Sequence, residues 1–204
     1  QAANLLPVPV VLRQLAAWFR ATQPHQRKTG LLLAYLAFWL DEMGLGEFYD
    51  LLCAQLGDGH ALLLLDGLDE VPLQDDALAR IKEMIGDLPA AYPTCPMVVT
   101  CRVLSYRDSR WQLTGKAWSV VELAPLDDDQ IDRFIQAWYN QLAAMQVVAN
   151  PKAQSGRLSQ AVRRPDLWRL APNPLLLTVM ALVHNHKGEL PDARAVLYDD
   201  VVDL

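Results

Sequence analysis

The chain has little sulfur chemistry to offer. Its three cysteines, Cys53, Cys95 and Cys101, form neither a CxxC pair nor an even disulfide framework. They read as thiols of a reducing compartment, so a cytoplasmic location is expected. Long apolar runs are also missing. The longest, LLLAYLAFWL from Leu31 to Leu40, is well short of the ~20 residues that span a bilayer, and Asp41-Glu42 follow it directly. No basic segment precedes an apolar block at the start, so no secretory leader is expected in these residues. Positive charge is scarce too. With a net charge of −6, neither a nucleic-acid surface nor an anionic membrane surface is the expected business of the chain. The four histidines are scattered, and the pair His184 and His186 reads as a polar helix end rather than a metal site.

What is present is an ordinary globular balance, 52% apolar and 21% charged over 204 residues, enough for a sizeable core. Leu6 to Leu12 reads as a short strand whose prolines, Pro7 and Pro9, suit an edge. Helical spacing follows from Arg13, an apolar helix from Gly30 and another from Phe48. Residues 61–65 and 97–101 read as short unbroken apolar strands. Such runs imply burial on both faces, the habit of a parallel sheet covered by helices. Residues 118–123 (WSVVEL) read as a third strand. Between the strands at 61–65 and 97–101, Asp75 or Asp76 is placed to cap a helix bearing Leu78, Ile81 and Ile85, with Pro89 and Pro93 closing it. From Leu126 the pattern is all helical. Asp127 and Gln130 have capping-box spacing, residues 150–156 read as a loop, Leu158 to Val162 as a short helix, and Asn173-Pro174 as a cap with proline at the first helical position. Leu197, Tyr198, Val201 and Val202 open one more helix.

The stretch ALLLLDGLDEVP carries the chemistry. An apolar strand runs into Asp66, Asp69 and Glu70, and a second apolar strand ends in Arg102. In parallel sheets ligands bind beyond the carboxyl ends of the strands. A carboxylate there is costly unless compensated, and a bound cation compensates it well. Mg²⁺ takes one or two carboxylates together with phosphate oxygens and water, which suits Asp66. Asp69 and Glu70 suit orientation of a water attacking a phosphate. The planar fork of Arg102 suits a terminal phosphate. The blander reading has Asp69 and Glu70 capping the following helix. A hydrolase using the acids and a metal alone is disfavoured, because the nearest histidine, His60, lies at the other end of the strand.

ALLLLDGLDEV resembles the Walker B element of NACHT-type NTPases, in the STAND class of P-loop NTPases. Residues 97–102 (MVVTCR) resemble that family's sensor 1 strand. Residues 123–126 resemble its junction to a first helical domain, and residues 170–177 (LAPNPLLL) its NPLLL motif. Leu6 to Arg13 resembles its second strand, and residues 190–198 the segment that closes the helical domain. The resemblance implies an α/β, P-loop NTPase-like three-layer parallel sheet over residues 1–125, followed by an all-helical subdomain over residues 126–204. It implies ATP or ADP with Mg²⁺, Asp66 toward the metal, Asp69 toward the attacking water with Glu70 assisting, Arg102 on the γ-phosphate and Pro174 packed near the adenine. It also implies a slow ATP-hydrolysing switch that self-associates when ATP-bound, with sensor and effector domains outside these residues. One departure is large: no GxxxxGK[ST] occurs, and Gly115-Lys116 is followed by Ala117 and reads as a turn. The expectation is therefore a fragment lacking the Walker A segment and the central P-loop strand, inactive by itself. The alternative is a non-catalytic NTPase-like scaffold for interactions.

Overall fold

The computed structural model describes residues 5–25, 28–74, 76–191, 197 and 199. The chain divides into two compact units, Gln1–Glu122 and Leu123–Leu204.

The first unit is a mixed α/β fold around a parallel three-stranded sheet. Strand β1 (Leu6–Val11) leads directly into helix α1 (Leu12–Thr22), and α2 (Thr29–Glu42) and α3 (Tyr49–Gly57) precede β2 (Ala61–Asp66). A 3₁₀ turn (Leu68–Glu70), helix α4 (Ala77–Ala91), strand β3 (Met97–Val99) and the short helix α5 (Val103–Tyr106) complete it. The strand order is β1-β2-β3, all parallel, with β2 central. The edge position of β1 agrees with its prolines, which cannot donate to a ladder.

The register pairs Val8 with Leu63 and Val10 with Leu65, so these side chains share one face with Ala61. That face is buried against α1, α2 and α4 through Leu12, Leu15, Phe19, Leu32, Leu36, Ile81 and Met84. The opposite face differs from the expectation of burial on both sides. Pro7 and Pro9 are exposed, Leu62 and Leu64 are half-buried, and Val98, opposite Leu64, is 47% exposed. Unbroken apolarity thus marks a sheet whose second face the described residues cover only in part.

Residues 118–123 form no strand. Trp118 packs on the core, but Val120, Val121 and Leu123 are exposed, the last at 94%. β-Branched residues favour strands only where a neighbour supplies hydrogen bonds and packing, and no described strand lies beside this stretch. Helix α4 also departs from expectation. Asp75 lies outside the described residues. Asp76 adopts φ 54° and makes no side-chain cap, leaving backbone bonds to start the helix. Pro89 does not stop α4, because its missing N–H falls in a last turn that Tyr92 N–H closes onto Leu88 O at 2.8 Å.

The second unit is helical: α6 (Asp128–Ala144), α7 (Pro151–Val162), α8 (Pro165–Trp168) and α9 (Pro174–Lys187). Ile131, Ile135, Tyr139, Leu158, Val162, Leu177, Met180 and Val183 build its core. Asp127 accepts from Gln130 N–H at 2.8 Å while the Gln130 side chain accepts from Asp127 N–H at 2.9 Å, the reciprocal bonds of a capping box. The expected loop at residues 150–156 is instead the first half of α7. Asn150 caps it through a 3.1 Å bond from Ala153 N–H, with Pro151 at the first turn. In the last segment Leu197 is buried, and Tyr198, Val201 and Val202 lie outside the described residues.

Candidate functional site at the strand ends

The carboxyl ends of β2 and β3 converge on one group of side chains. β2 ends at Asp66, and Gly67 turns the chain with φ 78°, a conformation that glycine adopts without strain. A side chain there would also meet Glu70 Cγ at 3.4 Å. The turn is tied back to the neighbouring strand: Leu68 N–H donates to Thr100 O at 2.9 Å, and Thr100 N–H to Leu65 O at 3.0 Å.

Thr100 has a second task. Its hydroxyl accepts from Gly67 N–H at 2.8 Å and donates to Asp66 Oδ1 at 2.6 Å. The hydroxyl therefore fixes the rotamer of an exposed carboxylate, and no described residue bonds its Oδ2.

Asp69 is placed differently from its neighbours. Its side chain is only 6% exposed. Oδ1 accepts from Arg102 N–H at 3.2 Å, Oδ2 accepts from the Ser105 hydroxyl at 3.1 Å, and Arg102 Nε lies 3.6 Å from Oδ2. Burial, followed by the negative charge of Asp69, pushes the neighbouring Cys101 thiol up from its ordinary value. Glu70 is more open and sits between two guanidinium groups: Arg102 Nη2 donates to Oε1 at 3.3 Å, and Arg13 Nη1, from α1, lies 3.5 Å from Oε2.

The sheet thus brings Asp66, Asp69 and Glu70 together with Arg102, which lies more than thirty positions further along the sequence. It adds Thr100, Ser105 and Arg13, which sequence reasoning did not single out. Thr100 carried a signal, since it is the one polar residue in the run 97–101 that leads to the expected Arg102. Ser105 and Arg13 carried none, because only the packing of α5 and α1 brings them here.

Family models, characterised proteins and solved structures give no match to this chain.

Asp66 offers one open oxygen, and no cluster of three or more His, Cys, Asp or Glu suited to a metal occurs among the described residues. A single carboxylate fits Mg²⁺ held mostly by phosphate and water, not a cation caged by protein alone. Arg102 is 75% exposed, and its pairing with Glu70 is worth little in solvent, so its guanidinium can exchange a carboxylate for another anion at small cost. Pro174 lies in the helical unit, exposed at the first turn of α9, where Asn173 caps through bonds from Leu175 N–H at 2.9 Å and Leu176 N–H at 3.3 Å. No described helix is long and apolar enough to cross a membrane.

Proposed function

We propose that the chain is part of a nucleotide-dependent switch that takes ATP or ADP and resets by slow ATP hydrolysis. One observation carries the reading: an exposed arginine, an exposed Asp66 and a half-buried Glu70 gather at the carboxyl ends of adjacent parallel strands. That is where parallel sheets bind phosphorylated ligands. Asp66 would hold Mg²⁺, and the metal when bound would offset the charge of the phosphates. Arg102 would release Glu70 and engage the terminal phosphate, and Asp69 would keep the arginine backbone in place. Glu70, the more open of that pair, would then orient water, a task the resemblance gives first to Asp69. Pro174 would pack at the adenine, and self-association in the ATP-bound state would couple the switch to sensor and effector domains.

The phosphate cradle of backbone N–H groups and lysine that GxxxxGK[ST] supplies is not written in these 204 residues. They are therefore expected to bind ATP poorly and hydrolyse it negligibly. The test is Mg·ATP titration calorimetry on the 204 residues and on the full-length gene product, alongside Asp66→Ala and Arg102→Ala in the latter. Micromolar affinity in the 204 residues alone contradicts the expectation. Absence of binding by the full-length product overturns the switch and favours a second reading, a non-catalytic interaction scaffold. Its own support is Asp69, whose oxygens are both engaged by Ser105 and Arg102 as a structural tie that needs no ligand.

A further inference from the structure

The corner where α2 passes into α3 leaves apolar side chains in solvent. Met43, Leu45, Phe48 and Leu51 are all exposed, Leu51 at 55%. They are not scattered. Leu45, Phe48 and Leu51 follow at intervals of three, through a 3₁₀ turn (Gly46–Phe48) and into the first turn of α3. Side chains three apart eclipse in a 3₁₀ turn and are neighbours on an α-helix, so the three form one row. The corner is held firmly, with Leu45 N–H on Leu40 O at 2.8 Å and Phe48 N–H on Leu45 O at 3.0 Å.

A second row runs beside the first. Glu47 and Asp50 each precede a member of the apolar row by one residue, and Asp41 and Glu42 end α2 next to Met43. All four carboxylates are exposed, and none has an ion-pair partner among the described residues. The sequence has no Lys or Arg between Lys28 and Arg80. Half of this charge has an ordinary explanation, because Glu47 and Asp50 sit in first turns, where the helix dipole favours acids. Asp41 and Glu42 have the opposite placement. They occupy the last turn of α2, where the dipole disfavours them and no basic residue offsets them.

We propose that this corner docks a basic amphipathic helix of a partner protein, with the partner's apolar stripe on Leu45, Phe48 and Leu51 and its Lys or Arg flanks on Asp41, Glu42, Glu47 and Asp50. Charge complementarity selects this occupant. A second copy seated symmetrically would set carboxylates against carboxylates. An anionic lipid surface would be repelled in the same way. An amphipathic helix carries its apolar anchors at i, i+3, i+4 and i+7, a spacing that matches apolar side chains set three residues apart. The proposal stands apart from the nucleotide reading and shares no residue with it.

The test uses a fluorescent designed helix of leucine and lysine, with leucine at i, i+3, i+4 and i+7, and a matched helix with glutamate in place of lysine. Fluorescence anisotropy should show saturable 1:1 binding of the lysine helix only. The double substitutions Phe48→Ser with Leu51→Ser, and Glu47→Lys with Asp50→Lys, should each weaken binding about tenfold or more, as loss of central anchors does. The charge-matched control, Glu83→Lys with Glu122→Lys, should leave affinity unchanged. All these side chains are exposed, and circular dichroism checks the fold of each variant. Equal binding of both helices, equal loss in the control, or unchanged affinity after the serine substitutions overturns the proposal. A dimer in sedimentation that the serine substitutions abolish also overturns it, in favour of a second copy.

Discussion

The side chain of Asp69 is nearly out of solvent and is met by Ser105 and by both the backbone and the guanidinium of Arg102, whereas Asp66 and Glu70 stay open. Removing a buried acceptor leaves its donors unmatched, which typically costs about 1–3 kcal/mol, while truncation of an exposed carboxylate stays within about 0.5 kcal/mol. Asp69→Ala should therefore lower stability clearly more than Asp66→Ala or Glu70→Ala, as read from urea unfolding midpoints. A second buried polar pair lies in the helical unit. His184, 2% exposed, shares a 2.5 Å hydrogen bond with the Tyr139 hydroxyl through Nδ1. Burial, with Arg157 adding to it, pushes His184 below its ordinary value, and burial raises Tyr139 to about 12. The unfolded state thus binds a proton at His184 before the folded state does, so stability falls as pH drops below about 6.5. Tyr139 acts at the other end: the unfolded chain loses its phenol proton first, so stability also falls as pH rises through about 10 toward 12. Thermal unfolding followed between those limits should show a plateau, and His184→Gln should flatten the acid limb. At this scale the acids and Arg102 were legible because charge at the end of an apolar run is conspicuous. The division of labour between Asp69 and Glu70 was not, since one position of offset on a 3₁₀ turn decides which of them is buried.

At the scale of elements, capping chemistry was legible and pairing was not. Asp127 with Gln130, and Asn173 with Pro174, announce α6 and α9 through local bonds that the sequence spells out. Asn150 and Pro151 have the same grammar, yet the polar residues that follow suggested a loop; the first half of α7 is helical because the cap and the proline set it. Replacing Asn150 or Asn173 by Ala should cost about 1 kcal/mol each, measured by chemical unfolding, with Gly costing less. Strands obey a longer-range rule. Residues 97–99 become β3 because Leu63, Leu64 and Leu65 stand opposite them, while residues 118–123, with comparable propensity, pair with no described strand and carry no regular structure.

Over the whole molecule, two separate apolar cores correspond to the two units, and residues 117–127 carry no helix or strand. Limited chymotrypsin digestion should cut early after Leu123, the most exposed large apolar residue of that stretch, and leave two resistant pieces seen by mass spectrometry. Cleavage starting inside α4 or α9 would contradict this. The mixed α/β architecture with a parallel sheet was readable from the two unbroken apolar runs. Partial cover of the second sheet face was not, because apolar composition states what a side chain tolerates, not which neighbour arrives.

β3 ends the sheet with its outer backbone groups unclaimed by any described strand, and Val98 beside them half in water. Such a rim is a template for adding chains one after another. Concentrating these 204 residues should therefore raise light scattering with a lag that shortens as protein is added. A lysine at Val98 should lengthen that lag, making one side chain of a three-residue strand a governor of shelf life.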